Sequence, residues 1–169
     1  MKLNYIFLIL FSNFLFGQEY QLFQKYKGDI NGDGKRDEIR VFEKNCGEEN
    51  VCRKIEIYLY VNKKLKLIDE NTKLLSCTNC YEYYYPFSGI EFGYKTFSVN
   101  FLLGDCDKTY YGYEFKINSK NKFMLDQIKI TDYNCNNVIN NEVKTKESYI
   151  NKKELGYKTF KNTNFIDKY

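Results

Sequence analysis

The sequence contains no histidine, no tryptophan and no alanine, and only one proline among 169 residues. Without histidine, the chain cannot form a Ser-His-Asp or Cys-His catalytic group, and it offers no imidazole ligand for zinc. It also has no glycine-rich loop of the kind that binds phosphates. The neighbouring carboxylates Asp105 and Asp107 have the sequence surroundings of ordinary solvated acids. We therefore predict a protein that is not an enzyme and has no catalytic residues.

The charge of the chain is nearly balanced, with 26 lysines and arginines against 22 aspartates and glutamates. The charges are spread along the chain in mixed clusters, whereas a nucleic-acid-binding surface needs a concentrated positive patch. This pattern predicts a solvated surface and no nucleic-acid partner.

The N-terminus has the features of a secretory signal peptide. Lys2 supplies a positive charge, the apolar run at residues 3–16 is too short to span a membrane comfortably, and Gly17 ends it. We predict a signal peptide at residues 1–17 and an exported mature chain, periplasmic or secreted, with no membrane segment of its own. The alternative is an uncleaved anchor or a buried N-terminal element.

The rest of the chain, residues 18–169, suits one domain. Alternating apolar and polar residues predict β-strands, and helix signals are scarce. The predicted strands are residues 38–43, 54–61, 65–69, 89–92, 96–103, 109–117, 123–131 and 143–150, with a short helical end at 160–168. We therefore predict an all-β domain of antiparallel hairpins, propeller-like or arranged as a sandwich or barrel, and braced by disulfides.

Six cysteines follow the predicted signal: Cys46, Cys52, Cys77, Cys80, Cys106 and Cys135. An even number in an exported chain favours disulfides. The hairpin around residue 49 brings Cys46 next to Cys52, and the hairpin around residue 120 brings Cys106 next to Cys135. Cys77 and Cys80 remain for a local disulfide. The alternative, a redox-active Cys-x-x-Cys, would open a helix, and no helix signal follows these two cysteines.

Residues 29–40 have the spacing of a loop that winds around a hard cation. Side-chain oxygens stand at positions 1, 3, 5 and 9 of the loop, a glycine stands at position 6, and position 7 offers its backbone carbonyl. The predicted calcium ligands are Asp29, Asn31, Asp33, Lys35 through its carbonyl, and Asp37.

Two features distinguish this loop from an EF-hand. An EF-hand has a bidentate glutamate at position 12, where this chain has Arg40, and continues into a helix, where this chain predicts a strand. Lys35 and Arg36 also oppose a cation. We therefore expect modest affinity and a mainly structural role for the calcium. The alternative is a turn without metal, because Asp, Asn and Gly also favour turns.

Tyrosine is concentrated at residues 81–85 and at Tyr110, Tyr111 and Tyr113. Such a set can form an aromatic face that binds a glycan or a protein. Strand alternation would bury about half of these side chains, so core packing is the other interpretation.

Residues 28–39 resemble the calcium loops of FG-GAP and VCBS repeat proteins, which also precede a strand and lack the last glutamate. Residues 75–80, 86–90, 97–99 and 110–130 resemble a family of small exported bacterial proteins with one such loop before a β domain. That family is similar to a periplasmic immunity protein that acts against a lysozyme-like effector of a type IV secretion system, and whose domain is β-propeller-like and related to lysozyme inhibitors. The resemblance implies a calcium-binding inhibitor or immunity factor whose partner is a secreted peptidoglycan hydrolase. A glycan-binding or structural module of the envelope is the alternative.

Overall fold

The computed structural model describes residues 19–47, 50–75, 87–104, 107–139 and 142–165. These residues form nine β-strands and one short 3-10 helix, and none of them lies in an α-helix. The strands are β1 (Gln21–Gly28), β2 (Asp37–Gly47), β3 (Asn50–Val61), β4 (Lys64–Asn71), β5 (Phe87–Gly93), β6 (Thr96–Leu103), β7 (Lys108–Ile117), β8 (Phe123–Ile139) and β9 (Glu142–Asn151). Accordingly, the described residues include no helix that is long and apolar enough to cross a membrane.

The strands form two antiparallel sheets in which sequence neighbours pair. The first sheet has the order β1-β2-β3-β4 and the second has the order β5-β6-β7-β8-β9. The prediction of an all-β domain of antiparallel hairpins is confirmed. Alternating apolar and polar residues give most of the strands one face to bury. Strand β1 has no counterpart among the predicted strands.

The hairpin of β2 and β3 is confirmed, although its register differs slightly from the predicted one. Cys52 stands opposite Lys44, and a β-bulge between Asn45 and Gly47 shifts the last pairs before the loop. Cys46 is therefore a diagonal neighbour of Cys52, and diagonal side chains are still within bonding reach. The Cys46–Cys52 disulfide is present, with Cα atoms 5.8 Å apart.

The hairpin of β7 and β8 is also confirmed. Ile117 faces Phe123 at its closed end, and a bulge between Glu114 and Phe115 moves the register by one residue farther along. Val143–Ile150 was predicted as a strand and lies within β9. Within the predicted helical end at 160–168, the described residues contain one 3-10 turn, Phe160–Asn162, and residues 166–168 lie outside the described residues.

The buried residues of both sheets form one hydrophobic cluster. The first sheet contributes aliphatic side chains, and the second contributes both aromatic and aliphatic ones. Their members include Ile39, Val41, Ile55, Ile57 and Leu59 from the first sheet, and Phe97, Val99, Phe101, Tyr111, Tyr113 and Phe115 from the second.

The segment after β9 completes the core. The ring of Phe160 packs against Phe97 and Phe115, with ring centroids 5.8 and 5.1 Å away, and the ring of Phe165 lies 4.8 Å from that of Phe101. Asn71 at the end of β4 holds this segment through hydrogen bonds to backbone carbonyls. The two sheets and the C-terminal segment therefore share one core.

Candidate calcium-binding loop

The predicted cation loop connects β1 to β2 at one end of the first sheet. Gly28 pairs with Asp37, so the two strands meet where the loop begins and ends. Ile30 is completely buried and belongs to the hydrophobic core. The loop is therefore anchored on the domain at its base, and residues 33–36 are exposed.

Asp29, at the first position of the loop, is the centre of its hydrogen bonding. Its Oδ1 accepts the backbone N–H of Gly32 at 2.7 Å and that of Asp33 at 3.1 Å, and its Oδ2 accepts that of Gly34 at 2.8 Å. Gly32 and Gly34 adopt φ angles of 76° and 78°, a region that glycine enters without strain. The two glycines thus let the backbone curl around this carboxylate.

The next two alternate side chains also turn inward onto the loop. Asn31 Oδ1 accepts the N–H of Asp33 at 3.0 Å, and Asp33 Oδ1 accepts the N–H of Lys35 at 2.9 Å. The Lys35 ammonium lies 3.6 Å from the other oxygen of Asp33 at the surface. The hydrogen bond from the Lys35 N–H is the largest cause of the lowered pKa of Asp33. A lowered pKa favours the charged carboxylate.

Asp37, at the ninth position, joins the loop to the first sheet. It is fully buried, its Oδ2 accepts the N–H of Ile30 at 3.0 Å, and its Oδ1 accepts the N–H of Tyr60 on β3 at 2.8 Å. Burial raises the pKa of Asp37, the two N–H donors lower it, and the charges of Asp33 and Asp29 raise it again. Asp29 and Asp33 therefore both lie close enough to Asp37 to repel its charge.

Packing against the second sheet explains two glycines at the base of the loop. A Cβ on Gly28 would lie 2.5 Å from the ring of Phe92, and a Cβ on Gly32 would lie 2.8 Å from the side chain of Lys95. The spacing of ligand residues gave no sign of these contacts, because Phe92 lies on β5 and Lys95 in the turn between β5 and β6. Tyr60 and Lys95 are the site residues that the sequence pattern missed.

The oxygen donors of the loop suit calcium, which binds carboxylate, amide and backbone carbonyl oxygens. However, within the described residues no group of three or more Asp, Glu, His or Cys side chains is arranged to hold a metal ion. The described conformation thus has the curled backbone of a cation loop without a closed cage of acidic side chains. Calcium binding stays a prediction.

The other predicted site residues fall into two groups. Cys77, Cys80 and Cys106 and the tyrosines at 81–85 lie outside the described residues, as does the side chain of Cys135. Of the later tyrosines, Tyr111 and Tyr113 are buried in the core, at 1% and 0% exposure. Core packing therefore accounts for those two, and Tyr110 is half-buried.

A ladder of charged side chains on β2 and β3 is a second polar cluster. Glu38 and Glu56 are each only 6% exposed. An Arg40 Nη2 atom lies 2.6 Å from Glu38, and the Lys54 ammonium lies 2.6 Å from Glu56. The guanidinium of Arg40 also stacks 4.2 Å above the ring of Tyr58, whose hydroxyl donates to Glu56. Each buried carboxylate in this ladder therefore has a cation beside it.

Comparisons of the chain with protein-family models, with curated proteins and with solved structures found no match.

Proposed function

We propose that this chain is an exported, calcium-binding β protein without catalytic activity, and that it binds another protein. Its proposed partner is a secreted, lysozyme-like peptidoglycan hydrolase, which it inhibits or against which it gives immunity. The observation that carries the calcium part is the curled loop, in which the carboxylate of Asp29 accepts three backbone N–H groups. The partner rests on the resemblance of residues 75–80, 86–90, 97–99 and 110–130 to a family of small exported bacterial proteins that is similar to a periplasmic immunity protein.

The electrostatics of the loop support a cation. The negative charges of Asp29 and Asp33 both raise the pKa of Asp37, as repulsion between carboxylates does. A dication bound among them would offset that repulsion. Lys35 and Arg36 at the exposed tip weaken the local field, and Arg40 stands at the twelfth position, where an EF-hand has its bidentate glutamate. We therefore expect a dissociation constant on the order of 10⁻⁴ to 10⁻³ M, as in extracellular calcium modules.

Two nearly isosteric substitutions test the calcium part with little disturbance of the loop. Asp33→Asn removes one charge but keeps the oxygen that accepts the Lys35 N–H, and Asn31→Asp adds one charge while keeping its own acceptor. Asp126→Asn, on β8 in an ion pair with Lys152, is the matched control. We expect calcium to raise the melting temperature of the wild type, to act less on Asp33→Asn and more on Asn31→Asp, and to leave the response of the control unchanged.

A melting temperature that is the same in calcium and in chelator, together with flat calorimetry up to millimolar calcium, would reject the calcium site. Magnesium is the ion control, because it demands a stricter octahedral geometry than this loop provides.

The partner is tested separately. The purified oxidised protein is added to peptidoglycan lysis assays with lysozymes and with hydrolases encoded beside its gene, in calcium and in chelator. We expect at least one of these enzymes to lose activity and to be captured by the immobilised protein. If none is inhibited and none is captured, the proposed partner is wrong, whatever the outcome for calcium.

A further inference from the structure

The connections between strands lie alternately at the two ends of the domain, because sequence neighbours pair antiparallel. At the end that carries the cation loop, the side chain of Lys95 lies against Gly32, and the Lys95 carbonyl accepts the N–H of Ile117 at 3.4 Å. This end, which we call the loop end, therefore unites connections from both sheets. They are residues 29–36, 62–63, 94–95 and 118–122.

The loop end carries cations on all four connections or directly beside them. Lys35 pairs with Asp33, and Lys152, which follows β9, pairs with Asp126. Other cations of this end are exposed and have no ion pair with any described residue. They are Arg36, Lys63, Lys64, Lys95, Lys116 and Lys120.

The acids of the loop end do not offset these cations. The carboxylate of Asp29 accepts three backbone N–H groups, and Asp37 is buried. Asp33 and Asp126 each have a lysine beside them, and Glu154 is exposed. Connections two strands apart lie about 10 Å from each other, and packed sheets are also about 10 Å apart. This is about one Debye length at 0.1 M salt, so the unpaired cations act together as one positive field.

The same end exposes apolar side chains. Tyr94, at the tip of the β5–β6 turn, is 80% exposed, and Val61, at the end of β3, is 40% exposed. Tyr157, which borders a small cavity together with Ile117 and Asn118, is 60% exposed. Tyrosine combines an apolar ring with a polar hydroxyl and is enriched where a membrane meets water. A soluble polyanion offers charge but no apolar layer for such rings, whereas a bilayer with anionic headgroups offers both.

We propose that the loop end binds the surface of an anionic phospholipid bilayer. The unpaired cations contact the headgroups, and the rings of Tyr94 and Tyr157 enter the interfacial layer. Both sheets take part, because Lys64 begins β4 of the first sheet and Lys120 lies in the β7–β8 loop of the second. This attachment needs neither calcium in the loop nor the proposed hydrolase partner.

Sedimentation with vesicles of phosphatidylglycerol or of phosphatidylcholine tests the proposal, on oxidised protein purified from the exported fraction of expressing cells and kept in chelator. We expect binding to phosphatidylglycerol at low salt, loss of that binding at high salt, and no binding to phosphatidylcholine. A lysine near an anionic surface strengthens binding by about fivefold. The double variant Lys64→Gln, Lys120→Gln is therefore expected to bind phosphatidylglycerol about 25-fold more weakly.

The matched control is the double variant Lys108→Gln, Lys146→Gln, which lowers the net charge by the same amount. Lys108 begins β7, and Lys146 stands opposite Asp132, so both lie far from the loop end. Strand β7 has 10 residues, which span about 30 Å or about three Debye lengths. We expect the control to bind phosphatidylglycerol vesicles as the wild type does.

Tyr94→Ser separates a bilayer from a soluble polyanion. It is expected to weaken binding to phosphatidylglycerol vesicles and to leave binding to a soluble polyuronate unchanged. If Tyr94→Ser binds the vesicles as the wild type does while the polyuronate competes with them, the partner is an acidic polysaccharide and the lipid proposal is wrong. Failure to bind phosphatidylglycerol at low salt would overturn the proposal, as would binding that salt does not weaken or a control variant that loses as much binding as Lys64→Gln, Lys120→Gln.

Discussion

Asn71, at the end of β4, provides the most direct test of how the C-terminal segment closes the core. Its side chain is 1% exposed and makes four hydrogen bonds. The amide nitrogen donates to the backbone carbonyls of Phe160 and Thr163, and the amide oxygen accepts the N–H groups of Lys73 and Leu74 at 2.7 Å each. No other natural side chain of this size can both donate twice and accept twice.

Replacing Asn71 by alanine removes one hydrogen-bond partner from each of those four backbone groups. The N–H of Lys73 is only partly buried and can turn to water, and the carbonyl of Phe160 still accepts the N–H of Thr163 at 3.1 Å. The buried bonds of Asn71 to the N–H of Leu74 and to the carbonyl of Thr163 are lost. A buried polar group left unpaired costs about 1–3 kcal/mol. Taking the lower figure for these two groups, we expect Asn71→Ala to lower the free energy of unfolding by about 2 kcal/mol, or the melting temperature by about 4–8 °C.

The assay is chemical and thermal unfolding followed by circular dichroism. Asn118→Ala is the control, since Asn118 also accepts two backbone N–H groups, from Lys120 and Lys122, but at the surface. Asn118→Ala is expected to lower the free energy of unfolding by about 1 kcal/mol or less, because water can replace the hydrogen bonds of Asn118. At neutral pH, Asn71→Asp is expected to lower the free energy of unfolding as much as Asn71→Ala does, because a carboxylate oxygen would then face two backbone carbonyl oxygens.

If Asn71→Ala costs no more than Asn118→Ala, the hydrogen bonds of Asn71 do not hold the C-terminal segment and the reasoning is wrong. Faster proteolysis within residues 155–165 in the variant would locate the loss at the closure of the core.

Three further predictions concern other parts of the fold. Burial raises the pKa of Tyr110 to about 12, above the value near 10 of an unfolded tyrosine, so its contribution to stability is complete below pH 10 and is lost as the pH rises to 12. The free energy of unfolding of the wild type is therefore expected to fall more steeply over that window than that of Tyr110→Phe, and parallel curves would contradict this. Gly28→Ala is expected to destabilise the domain by about 1–3 kcal/mol, since the added Cβ would meet the ring of Phe92. Adding Phe92→Leu to this variant should recover part of the lost stability, and no recovery would contradict the clash. Replacing both Cys46 and Cys52 by serine should cost about 2 kcal/mol, as expected for a short closed loop, and an unchanged denaturant midpoint under oxidising conditions would refute it.

Most strands could be predicted because their residues alternate between the core and the solvent. The segment 96–103 was predicted with the bounds that β6 has, since Phe97, Val99 and Phe101 point into the core at every second position. Strand β1 was missed because its two large apolar residues, Leu22 and Phe23, are adjacent and exposed. An edge strand with a bulge buries little, so its sequence carries little alternation.

The candidate calcium loop also has a part that the sequence predicts and a part that it does not. The inward turn of Asp29, Asn31 and Asp33 is local, because each accepts N–H groups from within the next five residues. The surroundings of Asp37 are not local, since one of its two donors, the N–H of Tyr60, is 23 residues away. Spacing alone therefore identified the loop but not the contacts that fix its position.

The strands other than β1, the Cys46–Cys52 bridge across a hairpin and the local curl of the loop could be read from the chain, because they depend on residues that are close in sequence. The contacts that hold the loop in place come from residues that are distant in sequence. Gly28 fits under Phe92 and Gly32 fits against Lys95 because the second sheet packs there. The tertiary structure also decided that Tyr111 and Tyr113 belong to the core, since burial depends on which face of a sheet the other sheet covers.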